Sequence, residues 1–128
     1  PAAYAPAHHI VRRAEEIAAE TGGSVTVYAT PQEAVIDADV ITTDTWISMG
    51  QESEKQARID AFAGYTVDSD LMAKAKSDAI FLHCLPAYRG YEVSADVIDG
   101  PQSVIWDEAE NRLHAQKALL VWLNQQSN

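Results

Sequence analysis

The chain has 128 residues, of which 47% are hydrophobic and 22% charged, a size and composition typical of one globular domain with its own core. Nineteen acidic and nine basic residues give a net charge of −10, which argues against a nucleic-acid partner. A single cysteine, Cys84, excludes an internal disulfide framework and a structural zinc site. No apolar run reaches the roughly 18 residues of a membrane span, so we expect a soluble, cytoplasmic protein. The first residue is Pro1 rather than Met, and we expect a chain that is trimmed or cut from something longer.

Helical and strand patterns alternate along the sequence. Ile10, Ala14 and Ile17 recur at helical spacing ahead of Gly22, and 30–33 carries a capping box with proline at the first helical position. The full pattern predicts helices at 7–21, 31–38, 52–62, 69–76, 94–98 and 107–125, and strands at 24–28, 39–43, 65–67, 79–82 and 103–106.

This alternation predicts an α/β fold with a mainly parallel sheet flanked by helices. In such sheets, functional residues collect in the loops at the carboxyl ends of the strands. Three polar segments follow predicted strands, at 44–52, 83–90 and 107–112. We expect them to converge on one edge of the sheet.

His83 and Cys84 stand together at the end of a predicted strand. A thiol there can be tuned by a neighbouring group for a reactive or hydrogen-bonding role. The competing interpretation, a buried cysteine acting as a small hydrophobe, has about equal weight. Because adjacent strand residues point to opposite faces, sequence adjacency does not predict a cysteine-histidine pair.

The segment 44–50 places an acid, Asp44, and a hydroxyl, Ser48, in one strand-to-helix connection. A carboxylate and a hydroxyl suit an ammonium group, and free backbone N–H groups suit a carboxylate. Together they fit the backbone end of an amino acid. The alternative is a helix-capping arrangement in which Trp46 packs into the core.

Arg112 lies near the start of the last predicted helix, close to the strand ends. A guanidinium there is suited to a carboxylate, a phosphate or a carbonyl oxygen. The competing account is an ion pair with Glu108, one helical turn earlier. The sequence carries no nucleotide-binding glycine pattern and no metal-binding histidine pattern, so nothing in it supports a nucleotide or metal cofactor.

Three segments resemble ornithine carbamoyltransferase: Asp-Thr-Trp-Ile-Ser-Met-Gly-Gln-Glu at 44–52, His-Cys-Leu-Pro-Ala at 83–87 and Glu-Asn-Arg-Leu-His-Ala-Gln-Lys at 110–117. The resemblance extends in order from about Pro1 to Leu123. It implies most of the C-terminal, ornithine-binding domain of that family, a three-layer Rossmann-like domain incomplete at its N-terminus. The family's carbamoyl-phosphate domain has no counterpart in 1–128. Tyr88 departs from the family, which usually has histidine there, and we expect it to tune the loop.

The resemblance implies transfer of a carbamoyl group from carbamoyl phosphate to the δ-amine of L-ornithine, giving L-citrulline and phosphate, with no metal or organic cofactor. Asp44 and Ser48 would hold the α-amino group, and the Met49 backbone would meet the α-carboxylate. Cys84 would accept a proton beside the δ-amine, with His83 and Asp44 as relay members. The carbonyls of Cys84 and Leu85 would accept from the carbamoyl NH2. Arg112 would donate to carbamoyl-phosphate oxygens. The missing N-terminal domain and a homotrimer or larger assembly would complete the site.

Other functions stay open at this point. The chain could be an amino-acid-binding module without chemistry, an assembly fragment, or part of a carbamoyltransferase for putrescine or an acylated ornithine. The last helix has more apolar residues than one packed stripe needs, so we also expect exposed apolar surface and self-association. These residues are Leu113, Leu119, Leu120, Val121, Trp122 and Leu123.

Overall fold

The computed structural model describes residues 1–126, apart from the side chain of Glu52. Six α-helices and two strands are assigned within these residues. The helices are α1 (His8–Thr21), α2 (Pro31–Ala34), α3 (Lys55–Ala61), α4 (Ser69–Met72), α5 (Ala95–Ile98) and α6 (Ile105–Gln126), and the strands are β1 (Val40–Thr43) and β2 (Ile80–His83). Short 3-10 helices cover Ala2–Tyr4 and Glu52–Glu54.

Strands β1 and β2 pair in parallel, in a register that runs from Val40 opposite Ile80 to Thr43 opposite His83. The chain between them passes through α3 and α4, as a parallel crossover requires. The carboxyl ends of both strands therefore lie side by side. This register brings the residues that follow each strand, Asp44 and Cys84, to the same edge of the sheet.

The core lies against one face of this sheet. Ile41 and Phe81, which are opposite each other in the register, both point into it. The apolar residues that pack around them come mainly from α4, α5 and the start of α6: Leu71, Met72, Val97, Ile98 and Ile105. Burial of these side chains holds the short helices to the sheet, because helices this short are not stable by themselves.

The sheet is smaller than the sequence pattern predicts. Residues 24–28 form no strand, and the predicted strands at 65–67 and 103–106 are each reduced to one isolated bridge, Val67 to Val93 and Phe81 to Ser103. The last helix begins at Ile105, two residues earlier than predicted. A strand needs a neighbour for its backbone groups, and the described residues offer none to 24–28, which is exposed throughout. The β-branched residues that predict this strand are a local pattern, and a local pattern does not show whether a partner strand is present.

The helix predictions are correct in place, while several helices are shorter than expected. Thr30 accepts a hydrogen bond from the Glu33 backbone N–H at 3.4 Å, which is the N-cap half of a capping box, and its hydroxyl donates to the Glu33 carboxylate at 2.9 Å. The helix it starts nevertheless ends at Ala34, four residues early, and the predicted 69–76 helix ends at Met72. The α/β class with a parallel sheet flanked by helices is confirmed. Within residues 1–126, no helix combines the length and apolar character of a bilayer span.

Candidate active site

Cys84 and Asp44 are in direct contact at the carboxyl edge of the sheet. The Cys84 Sγ lies 3.1 Å from Asp44 Oδ1, and the thiol donates to this oxygen. The same oxygen accepts a hydrogen bond from the Thr45 backbone N–H at 2.7 Å, which fixes the carboxylate over the strand end. The second oxygen of Asp44 has no hydrogen-bond partner among the described residues, so it is available to a ligand.

The contact with Asp44 determines the ionisation of Cys84. The hydrogen bond to Asp44 raises the pKa of the Cys84 thiol above its ordinary value, and partial burial and the negative charge of Asp44 raise it further. Glu108, on α6, adds a smaller effect in the same direction. At neutral pH, Cys84 is therefore a thiol rather than a thiolate.

His83 points away from the exposed edge. Its side chain is buried, whereas Cys84 is exposed, as the alternation of strand residues predicts. The His83 Nδ1 accepts a hydrogen bond from the Leu85 backbone N–H at 2.9 Å, and its Nε2 lies 3.2 Å from Glu92 Oε1. Both ring nitrogens are thus engaged on the inner side of the loop, and neither contacts Cys84.

The loop that follows β1 is anchored by an aromatic stack. Trp46 lies between Phe62 and Tyr91, with ring centroids 5.5 and 6.3 Å apart and nearly parallel planes. The Trp46 backbone carbonyl accepts from the Arg58 guanidinium at 3.3 Å. The alternative interpretation of 44–50 placed Trp46 in the interior, and its side chain is buried there.

Beyond Trp46, the loop turns outward. The Ser48 backbone N–H donates to the Gln51 side chain at 3.2 Å, and the Met49 side chain is 94% exposed. Gly50 has φ +87°, a left-handed conformation that glycine adopts without strain. Ser48 and Met49 therefore lie on an exposed turn and do not line the cavity beside Cys84.

Arg112 faces the same open cavity as Cys84 and Leu85, a space of about 720 Å³ between the loop after β2 and α6. Its guanidinium is exposed, and within the part of the chain that the structure describes it forms no ion pair. The alternative, an ion pair with Glu108, is thus not formed. Glu110, two residues before Arg112, has its Oε1 3.5 Å from His114 Nε2 instead. A cation without an internal partner is free to meet an anionic or carbonyl group.

Comparison with known proteins identifies the family of this arrangement. A family model described as aspartate/ornithine carbamoyltransferase, Asp/Orn binding domain, matches residues 1–123. The chain belongs to that family.

The relatives agree in sequence and structure. Ornithine carbamoyltransferase from Clavibacter sepedonicus is 66% identical over 127 residues, which is 99% of this chain and 41% of the relative. The solved ornithine carbamoyltransferase of Pyrococcus furiosus superposes with a TM-score of 0.87 at 55% identity, over 94% of this chain and 38% of its own. That of Campylobacter jejuni gives 0.89 at 44% identity, over 96% and 41%. The chain thus spans about two fifths of the relatives it matches, and its fold is the Rossmann-like domain that they share.

The structure brings together part of the site that the resemblance to this family implies. Asp44 and Cys84 touch, and Cys84, Leu85 and Arg112 line one cavity. Ser48 and Met49 lie on the neighbouring turn. Tyr88 points outward, with its ring 6.0 Å from that of Tyr91.

Sequence reasoning missed Glu92. This carboxylate is fully buried, and its Oε1 accepts from the Tyr88 backbone N–H at 2.6 Å in addition to contacting His83. One weak sign existed in the sequence, a single acid between the large neighbours Tyr91 and Val93.

Proposed function

We propose that this chain is the ornithine-side part of an ornithine carbamoyltransferase, which transfers a carbamoyl group from carbamoyl phosphate to the δ-amine of L-ornithine to give L-citrulline and phosphate. The observation that carries the proposal is the contact of the Cys84 thiol with Asp44, together with the open cavity that Cys84 and Arg112 both line. It combines a proton-handling pair and an unpaired cation, the two functions that this reaction needs. Residues 1–128 then form part of the ornithine-binding domain, and the enzyme acts in the cytoplasm.

The free oxygen of Asp44 supports a site for the α-amino group. One oxygen is already used by Thr45 and Cys84, while the other has no partner among the described residues. An ammonium group pairs well with a fixed carboxylate oxygen. In the proposed complex, Ser48 adds its hydroxyl and the Met49 N–H meets the α-carboxylate, after the exposed turn has moved toward the edge.

The amine must lose a proton before it can attack. A primary alkylamine has a pKa of about 10.4, so at neutral pH it is an ammonium ion. Because Cys84 is a thiol, it cannot accept that proton until its own has left. The contact with Asp44 provides the route: the S–H proton passes to Asp44 as the sulfur takes one from the δ-ammonium group, and the amine nitrogen is left with its electron pair.

Attack then forms the bond between the δ-nitrogen and the carbamoyl carbon. Negative charge develops on the carbonyl oxygen, which preorganised donors must stabilise. Arg112 supplies one donor from α6, and the backbone carbonyls of Cys84 and Leu85 accept from the carbamoyl NH2 group. The carbonyl then re-forms as the bond between carbon and the phosphate oxygen breaks, and the departing phosphate takes the second proton from the δ-nitrogen, which leaves citrulline and phosphate. The other donors to carbamoyl phosphate come from parts of the enzyme outside these residues, including a second subunit of a homotrimer or larger assembly.

A chimera tests the proposal. This chain replaces the matching 127 residues of the Clavibacter sepedonicus enzyme, and the carbamoylated product is measured for each acceptor: citrulline from L-ornithine, N-carbamoylputrescine from putrescine and Nα-acetylcitrulline from Nα-acetylornithine. We expect citrulline formation within about tenfold of the parent enzyme and a preference for ornithine, because Nα-acetylornithine leaves Asp44 without an ammonium partner, while putrescine keeps a second ammonium group but lacks the α-carboxylate. A folded, assembled chimera without citrulline formation would refute the proposal, and turnover of putrescine alone would reassign the acceptor.

A further inference from the structure

The buried pair of Glu92 and His83 has no part in the proton route described above. Both side chains are fully shielded from solvent, and Glu92 Oε1 lies 3.2 Å from His83 Nε2. Buried carboxylates are rare unless they are paired and hydrogen-bonded. The position of this pair, directly beneath the loop that carries Cys84, therefore calls for a role.

Glu92 is presented from a fixed frame. Its backbone carbonyl accepts from the Val67 N–H at 2.9 Å, and the carbonyl of Tyr91 accepts from the Thr66 hydroxyl at 2.7 Å. Val67 and Val93 form a parallel bridge, and both are buried in the core. The carboxylate thus projects from a rigid segment toward the loop.

From this frame, Glu92 reaches both ends of the loop. At the far end, Oε1 accepts from the Tyr88 backbone N–H at 2.6 Å. At the near end, it acts through His83, whose Nδ1 accepts from the Leu85 N–H at 2.9 Å. That bond requires a bare Nδ1, so the ring proton is on Nε2, where it is donated to Glu92.

The loop needs such support, because its backbone is strained. Leu85 has φ +53°, a left-handed conformation that is costly for a residue with a side chain. Surrounding contacts must hold it there. The Leu85 N–H bond to His83 does so directly, and this conformation sets where Cys84 lies relative to Asp44.

We propose that Glu92 is a positioning residue of the carbamoyl-transfer site: through His83 and the Tyr88 N–H, it holds the loop of residues 84–88 so that the Cys84 thiol meets Asp44. Its part in carbamoyl transfer rests on the function proposed above, whereas its hold on Cys84 does not. His83 is then a positioning residue too and not a proton relay. A proton placed on Nδ1 would face the Leu85 N–H, donor against donor, and break the loop's own hydrogen bond.

The test uses Cys84, the one cysteine of the chain, as its probe. The rate of its alkylation by iodoacetamide is measured against pH in the 128-residue chain, in Glu92→Leu and in Glu92→Gln. Groups that act on this thiol are Asp44 after β1, Glu108 on α6 and Arg112 across the cavity, and all are retained in the three proteins. The Glu92→Leu variant loses both hydrogen bonds that Glu92 Oε1 accepts, while the Glu92→Gln variant keeps an acceptor oxygen in that place.

In Glu92→Leu, we expect the midpoint of the alkylation profile to fall by at least about half a pH unit, which is about threefold more thiolate at neutral pH. The loosened loop separates the thiol from Asp44, the group that raises its pKa. Glu92→Gln is expected to stay near the parent midpoint. Leu71→Ala, a core change away from the loop, is the control for a general loss of stability, and it should leave the midpoint in place.

An unchanged midpoint in folded Glu92→Leu would overturn the proposal, as would an equal shift in Leu71→Ala. If Glu92→Leu does not fold, Glu92→Met takes its place, and an unchanged midpoint in that variant would overturn the proposal. A shift in Glu92→Gln as large as that expected for Leu would contradict the acceptor role. None of these measurements requires catalysis. If the chimera forms no citrulline, the proposal that Glu92 positions Cys84 is unaffected. If the chimera is active and its Glu92→Leu variant is inactive, that loss concerns Glu92 and not the proposed function.

Discussion

At the scale of single residues, the site depends on how Asp44 controls Cys84. The carboxylate raises the pKa of the thiol by accepting its proton in a hydrogen bond and by disfavouring a second negative charge nearby. A thiol held in this way is a poor nucleophile toward alkylating agents but a suitable element in a proton chain. In the proposed mechanism, Cys84 passes a proton and forms no covalent intermediate.

Asp44→Asn tests this electrostatic control. Removal of the negative charge, and of the better hydrogen-bond acceptor, should lower the pKa of Cys84, so alkylation at pH 7 becomes faster and its pH midpoint moves down. The matched control is Glu110→Gln, which removes one negative charge on α6 where the acid pairs with His114. A midpoint that stays constant or rises in Asp44→Asn would contradict the assigned cause.

Arg112 is a second residue whose role can be separated from stability. In the chimera, Arg112→Gln should lower kcat by about 10²- to 10³-fold, the usual loss for one donor to a developing oxyanion. Its thermal midpoint should not change, because the exposed guanidinium forms no ion pair in the described part of the chain. Arg112→Lys keeps the charge without the planar guanidinium, and its kcat should lie between those of the parent and Arg112→Gln. Activity of Arg112→Gln within threefold of the parent would remove Arg112 from the mechanism.

At the scale of elements, the sequence predicts what local pattern and local chemistry decide. The paired strands at 40–43 and 80–83 and the helix at 8–21 lie where they were expected. The segment at 24–28 does not form its strand, because a strand exists only with a neighbour and pattern carries no information about neighbours. The 103–106 segment does have a neighbour, since Ser103 bridges to Phe81 of β2, but α6 begins at Ile105 and ends the pairing there.

The site shows the same division between local and long-range information. That Cys84 and His83 point to opposite faces follows from strand geometry and was predictable. The contact between Cys84 and Asp44 spans 40 positions and depends on the register of β1 and β2, which the sequence did not supply. Glu92 was missed for the same reason, since its importance arises from the residues that surround it in space.

The loop after β1 can be tested through its anchor. Trp46 is 7% exposed and stacked between two aromatic rings, so Trp46→Ala should lower the free energy of unfolding by about 3–5 kcal/mol. Trp106→Ala is the matched control: this side chain is 70% exposed, and its loss should cost less than about 0.5 kcal/mol. Urea unfolding followed by circular dichroism compares them. Equal midpoints for the two variants would mean that Trp46 does not anchor the loop.

At the scale of the whole molecule, the chain exposes apolar surface that one packed domain would cover. Helix α6 buries Ile105 at its start, while Leu113, Leu120 and Trp122 are each more than half exposed. The large side chains of α1 are exposed as well, at Ile10 and Ile17. Exposed apolar side chains in this number favour contact with other protein. The sequence-based expectation of exposed apolar residues on the last helix is confirmed.

Self-association should follow from this surface. We expect the 128-residue chain to sediment as dimers or larger species at high concentration, and the double variant Leu113→Gln, Leu120→Gln to shift it toward the monomer. Both residues lie on α6 outside the core, so the far-ultraviolet circular dichroism spectrum should not change. Sedimentation velocity over a range of concentrations measures the effect, and a monodisperse monomer of the parent chain would contradict it.

The central claim is that ornithine binds where Cys84 meets Asp44, in the cavity that Arg112 faces. The most direct measurement is protection of Cys84 from alkylation in the chimera, read by mass spectrometry of the peptide that contains it. We predict that L-ornithine, with carbamoyl phosphate present, slows alkylation of Cys84 at least about tenfold, and that Nα-acetylornithine protects far less. Alkylation of Cys84 at the same rate with and without ornithine, under conditions where citrulline forms, would contradict the account.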